Sequence, residues 1–326
     1  MKAIVHQKYG PPDVLELQEV ANPTYKDEEV LLKVHAAAVN AGDWYKLSGK
    51  PFLVRLMTGG LRKPKNQILG WDIAGQVEAV GRNVKQFQPG DEVFGACDCG
   101  GFAEYVYANE DELVLKPASL TFEEAAAVPV AAITALQALR DKGRIQSAQK
   151  VLINGASGGV GTFAVQIAKS FGAEVTAVCS TRNLDQARSM GADQVIDYTQ
   201  EDFTQTGQHY DLILAANGYR SLSDYKRALR PKGIYVCTGG TMAQIFQAMF
   251  LGPLISMTGC KKMGNSMAKI NKKDLVFMKE LLEAGKVVPV IDRRYPLSEV
   301  AEALRYLGEG HAQGKVVITV EPINKS

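Results

Sequence analysis

Cysteine is scarce in this 326-residue chain, and its few cysteines are scattered. The five are Cys97, Cys99, Cys179, Cys237 and Cys260. An odd number at such wide spacing does not form the disulfide framework of a small secreted protein. Only Cys97 and Cys99 are close in sequence, and one C-x-C pair lacks the four-ligand spacing of a structural zinc site. We therefore expect reduced thiols.

The chain also lacks a charge imbalance and a long apolar run. Its 37 basic and 35 acidic residues leave a formal net charge of +2, so bulk charge does not indicate nucleic acid or an anionic membrane. The uncharged stretch 239–260 is interrupted by Gly252-Pro253, whereas a spanning helix needs about 20 predominantly apolar residues. The first residues do not form a signal-peptide pattern. We expect no membrane span and a cytoplasmic location.

Short strand-like runs separated by turn signals fill the first third of the chain. They lie at residues 30–34, 92–94, 102–106 and 113–115, a pattern typical of a small barrel or irregular sandwich. At Thr121 the pattern changes, because Thr-x-x-Glu forms a capping box before an alanine-rich helix. We therefore assign residues 1–124 to a β-rich domain.

From Lys150 the chain alternates between strand-like and helical patterns. The strand candidates are residues 151–153, 175–179, 194–196, 212–215, 234–237 and 255–258. Six strands in βαβ alternation predict a doubly wound parallel sheet. The predicted fold is α/β: the β-rich domain, a six-stranded Rossmann domain at 125–263, and a C-terminal segment at 264–326 that returns to the first domain.

A glycine-rich turn links the first of these strands to its helix. The G-x-G-x-x-G fingerprint takes the form Ala156-x-Gly158-x-x-Gly161. Glycines let the backbone approach a pyrophosphate, and the helix N-terminus offers N–H donors. A merely tight strand–helix turn is the alternative, but the position inside the βαβ alternation favours a dinucleotide site. The candidate binding residues are Ser157, Gly158, Gly159 and Val160.

The second strand of the alternation ends without a carboxylate. Ser180-Thr181-Arg182 stands where an NAD site carries Asp or Glu for the ribose 2′-hydroxyl. Hydroxyls and a guanidinium can donate hydrogen bonds to a 2′-phosphate, which a carboxylate would repel. These residues predict a preference for NADPH. The alternative is that Arg182 is a solvated residue at a helix start.

Several motifs along the chain match one known family. They are Val39-Asn40-x-x-Asp43, Leu69-Gly70-Trp71-Asp72-x-Ala74-Gly75, Pro89-Gly90-Asp91-x-Val93, Gly158-Gly159-Val160-Gly161, Gly191-Ala192-Asp193-x-Val195-Ile196-Asp197-Tyr198 and Gly310-His311-x-x-Gly314-Lys315-Val316-Val317. On these motifs the whole chain resembles the medium-chain dehydrogenase/reductase superfamily, in its zinc-free quinone oxidoreductase (ζ-crystallin-like) branch. The resemblance implies a GroES-like catalytic domain and a Rossmann domain, with the active site in the cleft between them.

The zinc-dependent branch of that superfamily has a Cys two residues before the Asp43 position and a His-Glu pair after the glycine at Gly70. This chain has Ala41 and Trp71-Asp72 there. Catalytic zinc needs three protein ligands, so we expect no metal. Without a Lewis acid, a conjugated acceptor is easier to reduce than an alcohol is to oxidise, because one hydrogen-bond donor can stabilise the delocalised charge. The implied substrate is a small apolar quinone or α,β-unsaturated carbonyl.

The resemblance also implies site residues. It places Asn40, Asp43 and Tyr45 beside the nicotinamide and substrate, with Tyr45 as the candidate donor and the other two ordering the loop and carboxamide. Turn chemistry at a strand end would use the same residue types, so this alternative stays open. The remaining residues implied around the cofactor are Thr134, Tyr198, Asn217, Gly239, Gly240 and Lys315.

A non-catalytic function is the second hypothesis, since some ζ-crystallin relatives have a structural or RNA-binding role. The densest basic segment carries Lys261, Lys262, Lys269, Lys272 and Lys273. It has no aromatic residue for base stacking and is typical of a solvated face, so a nucleic-acid partner is not expected.

Two expectations concern surfaces. Residues 242–254, rich in Met and Phe, are expected to border an apolar substrate pocket. Members of the family commonly pair through the edge of the Rossmann sheet, and the short apolar run 255–258 would be an uncovered edge strand. We therefore predict a homodimer through this edge.

Overall fold

The chain forms two compact units. The computed structural model describes residues 1–57, 60–98 and 100–320. The first unit comprises Met1–Val130, Ile270–Glu283 and Pro289–Ser326, and the second comprises Ala131–Lys269 and Ala284–Val288. The C-terminal part of the chain therefore contributes to both units.

The first unit is built on a seven-stranded sheet. Its strands, in spatial order, are Ile291–Pro296, Lys315–Thr319, Glu29–Val39, Asp72–Val80, Glu92–Ala96 and Leu113–Leu115, with Tyr105–Asn109 also paired to Glu29–Val39. Only the first two of these pair in parallel. A separate antiparallel pair joins Lys2–Val5 to Glu16–Glu19. The α-helices are Ala41–Ser48, Phe52–Met57, Phe122–Ala126, Lys272–Glu283 and Val300–Gly308.

The core of this unit follows from alternation along its longest strand. Val30, Leu32 and Val34 of Glu29–Val39 are buried in one cluster, whereas Leu31 and Lys33 between them are half-buried. Side chains of a strand point alternately to opposite faces, so these three lie on one face, up to a register shift after Val34. A second cluster, around Leu47, Val300 and Leu304, packs two helices onto the sheet.

The second unit contains a six-stranded sheet in which every neighbouring pair is parallel. The spatial order is Gln194–Asp197, Glu174–Cys179, Lys150–Asn154, Tyr210–Ala215, Leu229–Cys237 and Lys262–Asn265. This is the 3-2-1-4-5-6 order of the doubly wound fold, so the predicted fold class is confirmed. Its α-helices are Gly159–Ser170, Leu184–Ser189, Leu222–Ala228 and Met242–Thr258, and the helix Pro129–Gln137 contains the boundary between the units.

The sixth strand differs from the prediction. Residues 255–258 end the helix Met242–Thr258, and the edge strand is Lys262–Asn265. A capping box of Thr241 and Gln244 begins this helix, and Pro253 does not end it. The Ser256 hydroxyl donates to the Gly252 carbonyl at 2.8 Å, as in a continuous helix. A short apolar run fits a buried strand and a helix equally well, which explains the error.

The sequence predicted no membrane span. Among the described residues, no helix is both long enough and apolar enough to cross a bilayer.

Candidate functional site

Two glycines of the predicted dinucleotide turn are required by the fold itself. Gly155 follows the central strand Lys150–Asn154 with φ +84°, which favours glycine. At Gly161, a Cβ atom would lie 2.0 Å from the Gly155 carbonyl oxygen. No larger residue fits where the helix crosses this turn.

Gly158 is different, because nothing in the protein requires a glycine there. It is the N-cap of the helix Gly159–Ser170, with an ordinary extended backbone of φ −81° and ψ 174°. A Cβ atom at this position would meet only the Gly155 carbonyl oxygen, at 3.7 Å. The open space beside it faces the N-terminus of a helix, where N–H groups and the dipole favour an anion. A pyrophosphate fits this cradle, and a side chain would fill it.

Asn183 orients two hydroxyls at this turn. Its side chain is 4% exposed, and its Nδ2 donates to Ser157 Oγ at 2.9 Å and to Ser180 Oγ at 3.1 Å. A hydroxyl that accepts one bond keeps its own proton, so Ser157 and Ser180 are free to donate to phosphate oxygens. Asn183 was not predicted from the sequence. An Asn at a helix start is common, and its contact with Ser157 spans 26 positions.

The residues predicted for the 2′-phosphate, Ser180, Thr181 and Arg182, follow the strand Glu174–Cys179, and Tyr198 follows the neighbouring strand Gln194–Asp197. Thr181 and Arg182 are exposed, as is Tyr198 at the end of the next strand. Thr181 Oγ1 donates its one proton to Asp197 Oδ2 at 2.5 Å, which leaves Ser180 and Arg182 as the predicted donors to a 2′-phosphate. The Thr181 bond is the main cause that lowers the pKa of Asp197. Asp197 was not predicted as a site residue, and its carboxylate lies beside the residues predicted for the 2′-phosphate.

Two loops meet at the carboxyl edge of the same sheet. The Asn217 N–H donates to the Asn154 carbonyl at 3.2 Å, and the Gly239 N–H donates to the Ala215 carbonyl at 3.3 Å. Gly240 has φ +125°. The structure therefore brings Asn217, Gly239 and Gly240 together at the edge where doubly wound sheets bind ligands. Thr134 is half-buried on Pro129–Gln137.

Lys315 and Asp72 form a buried ion pair in the first unit, and Asn40 bonds to both. Lys315 and Asn40 were predicted as site residues, whereas Asp72 was not. Lys315 Nζ lies 2.9 Å from Asp72 Oδ2, and both side chains are almost fully buried. Lys315 also donates to Asn40 Oδ1 at 2.7 Å, and Asn40 Nδ2 donates to Asp72 Oδ2 at 3.0 Å. The Val130 N–H donates to the second Asp72 oxygen at 2.8 Å. Asn40, Asp72 and Lys315 thus form a closed, fully bonded network.

Asp43 holds the segment that leads into this network. It is fully buried, and its two oxygens accept from the Asn40 N–H at 2.9 Å and the Gly70 N–H at 3.1 Å. Burial raises the pKa of Asp43 to about 6, although these two N–H groups act in the opposite direction. Because both oxygens bind backbone, Asp43 acts here as a positioning residue. Tyr45 is half-buried on the same helix, Ala41–Ser48.

Trp71 packs against the start of that helix. A Cβ atom on Gly42 would lie 2.4 Å from the indole ring, and Lys46 Nζ is 4.1 Å from the ring centroid. Ala41 is exposed. Within the described residues, no group of three or more His, Cys, Asp or Glu could hold a metal ion. Cys99 of the C-x-C pair lies outside these residues, and the described cysteines are free thiols.

Two family models and several known proteins match this chain. The model for the alcohol dehydrogenase GroES-like domain matches residues 26–118, and that for the zinc-binding dehydrogenase matches residues 190–318. The 2-methylene-furan-3-one reductase of Solanum lycopersicum is 37% identical over 98% of this chain and 79% of its own length. The chloroplastic NADPH-dependent alkenal/one oxidoreductase of Arabidopsis thaliana is 34% identical over the same shares of each chain.

A solved structure gives the same result. The quinone oxidoreductase from Coxiella burnetii has a TM-score of 0.87 and 30% sequence identity, and the match covers 98% of this chain and 99% of that one. On the motifs, the strand order and these matches, the chain belongs to the medium-chain dehydrogenase/reductase superfamily and is an oxidoreductase of its quinone oxidoreductase branch.

Proposed function

We propose that this protein is a zinc-independent reductase that uses NADPH to reduce a quinone or an α,β-unsaturated carbonyl. The observation that carries the proposal is the open space beside Gly158, the N-cap of the helix Gly159–Ser170. Asn183 supports it by donating to the hydroxyls of Ser157 and Ser180, which leaves both able to donate. The names of the relatives, which include an alkenal/one oxidoreductase and a quinone oxidoreductase, support this acceptor class. A cytoplasmic location and the lack of a nucleic-acid partner stay predictions.

The acceptor chemistry follows from what the residues can donate. Bound NADPH would supply a hydride to the far carbon of a conjugated acceptor, and negative charge would then develop on the acceptor oxygen. One well-placed hydrogen-bond donor can stabilise that charge. We assign this donor to Tyr45 by its position in the family motif, with Asn40 and Asp43 holding the loop. Ala41 and Trp71 provide no zinc ligands, which supports a reaction without metal.

Replacing Gly158 with valine should abolish tight NADPH binding and leave the fold intact. A valine would fill the cradle, so the Kd for NADPH should rise roughly a hundredfold or more. Its Cβ meets no close neighbour, so the Tm should hardly change. Fluorescence titration and thermal unfolding measure the two effects. Gly259→Val is the matched control, because Gly259 has an extended backbone and a Cβ there would come no closer than 3.5 Å to another atom. Unchanged NADPH affinity in Gly158→Val would reject the dinucleotide site.

The choice between NADPH and NADH gives a second test. Ser180 and Arg182 should favour NADPH at least about tenfold, or about 1.4 kcal/mol. Arg182→Ala should weaken NADPH and leave NADH nearly unchanged. Asp197→Asn should tighten NADPH alone, because it removes a negative charge beside the phosphate subsite. Equal affinities of the wild-type protein for both cofactors would contradict the assignment.

We also propose a homodimer through the open edge of the parallel sheet, now placed at Lys262–Asn265. On the adjoining helix Phe250, Leu254 and Met257 are exposed, Met257 to 82%. A two-fold contact would pair the free N–H and C=O groups of the edge strand and would bury the apolar surface beside it. Light scattering at micromolar concentration should give twice 35.3 kDa. Met257→Lys should shift this mass toward the monomer, and a single-chain mass for the wild-type protein rules out the dimer.

A further inference from the structure

The first unit carries one segment that is strongly basic. Between Trp44 and Trp71 the chain has six basic residues and no Asp or Glu. The six are Lys46, Lys50, Arg55, Arg62, Lys63 and Lys65. The whole chain has 37 basic and 35 acidic residues, so acidic residues outnumber basic ones over the rest of the sequence. The near-neutral net charge therefore conceals a local excess of positive charge.

The same segment exposes large apolar side chains. Phe52 is 64% exposed and Leu56 is 59% exposed, and Leu53 and Leu61 are exposed as well. A single exposed leucine is ordinary on a protein surface. Phe52 and Leu56, however, are four positions apart on the helix Phe52–Met57, so their exposed side chains are neighbours and form an apolar patch. We call the exposed residues of this segment the basic–apolar surface: Lys50, Phe52, Leu53, Leu56, Leu61, Arg62, Lys63 and Lys65.

Tyr9 fixes the backbone beneath this surface. Its hydroxyl donates to the Gly60 carbonyl at 2.5 Å, and its ring lies 4.6 Å from the Arg55 guanidinium. Arg55 in turn donates to the Gly49 carbonyl at 3.0 Å, and the Gly60 N–H donates to the Arg55 carbonyl at 3.1 Å. The helix Phe52–Met57 and the segment after it are thus tied to one anchor. The backbone that carries the exposed side chains is therefore fixed by hydrogen bonds.

We propose that the basic–apolar surface docks the protein onto an anionic lipid bilayer. Phe52 and Leu56 would enter the boundary between headgroups and acyl chains, where apolar side chains are buried by about 5–10 Å. Lys50, Arg62, Lys63 and Lys65 are exposed and would contact lipid phosphates. The combination of basic and apolar side chains favours an anionic bilayer as the partner, because a bilayer offers negative charge across its face and an apolar layer below it.

This docking goes beyond the proposed reaction and needs no bound cofactor. It fits an apolar acceptor, since quinones and long-chain enones partition into bilayers. It also fits the described helices, none of which could span the membrane. The protein would bind as a peripheral protein from one side.

Vesicle co-sedimentation of the full chain, without nucleotide, tests the proposal. The protein should sediment with phosphatidylcholine vesicles that contain phosphatidylglycerol, and far less with phosphatidylcholine alone. Lys63→Gln with Lys65→Gln should weaken binding roughly thirtyfold. Phe52→Ser with Leu56→Ser should weaken it about tenfold or more. NADPH titration of each variant shows separately whether the nucleotide site is intact.

Two matched controls keep the result specific. Lys286→Gln with Arg294→Gln removes two exposed charges elsewhere, and Leu17→Ser removes an exposed leucine from the first unit. Both should sediment like the wild-type protein. Absence of wild-type sedimentation with anionic vesicles at low salt would overturn the proposal. So would equal losses in control and surface variants, or a fall in oligomer mass in the Phe52→Ser, Leu56→Ser variant, which would assign the surface to a contact between copies.

Discussion

Replacing Lys315 with methionine should lower the free energy of unfolding by about 3–5 kcal/mol, because it leaves a buried carboxylate without its counter-charge. Lys315 and Asp72 are 3% and 0% exposed, and their charged atoms are 2.9 Å apart. Methionine fills nearly the same volume, so the loss reports charge and hydrogen bonding rather than a cavity. Chemical denaturation at neutral pH measures it.

The second variant in this test restores neutrality. Adding Asp72→Asn to Lys315→Met removes the unpaired charge, and the amide oxygen can still accept from the Val130 N–H. The double variant should therefore be more stable than Lys315→Met alone. Lys279→Met is the control for an exposed pair: Lys279 lies 3.6 Å from Glu283, and its loss should cost less than about 1 kcal/mol. A loss of similar size for Lys315→Met would show that the ion pair contributes little.

The same variant addresses the role assigned to Lys315 from the family resemblance. The ammonium group already donates to Asp72 and Asn40. If Lys315 acts by holding Asn40, Lys315→Met should change turnover more than the Kd for NADPH. If it contacts the cofactor directly, the Kd should rise in proportion to the loss of turnover.

The class of fold could be predicted from the sequence because periodicity and turn residues are local signals. The βαβ alternation from Lys150 and the glycine turn after its first strand could be recognised from residues that are neighbours in the sequence. The error at residues 255–258 has the same origin, since Ile, Ser, Met and Thr fit a strand and a helix end alike. In the structure the Ser256 hydroxyl donates to the Gly252 carbonyl one helical turn earlier, a contact that no local pattern announces.

The site was less predictable, because its important contacts join distant positions. Gly158 and Gly161 belong to one motif, yet only the structure separates the glycine that the fold needs from the one that leaves a cradle. Asp72 and Lys315 are 243 positions apart, and no spacing rule connects them. Asn183 becomes a candidate site residue only through its contacts with Ser157 and Ser180.

Asp43 should make the protein less stable as the pH rises from about 4 to about 6. In the unfolded chain an Asp ionises near pH 3.9, whereas burial raises the pKa of Asp43 to about 6 in the folded protein. Below pH about 4 the group is neutral in both states, so no penalty exists. Between the two values the unfolded state loses its proton first, which favours unfolding. Above pH about 6 the penalty is constant, at about 3 kcal/mol for two pKa units.

Comparison with Asp43→Asn isolates this effect from the other carboxyl groups. Asp193, Asp202 and Asp224 have lowered pKa values, so each adds stability as the pH rises, and this trend is present in both proteins. The amide side chain of the variant has one acceptor oxygen for the two N–H groups of Asn40 and Gly70, a cost that does not vary with pH. The unfolding free energy of the wild-type protein minus that of the variant should therefore fall by about 3 kcal/mol between pH 4 and pH 7. A difference that stays flat over this range would contradict the raised pKa. It would mean that the two backbone N–H groups fully offset the burial of the charge, so that the pKa of Asp43 in the folded protein equals its value in the unfolded chain.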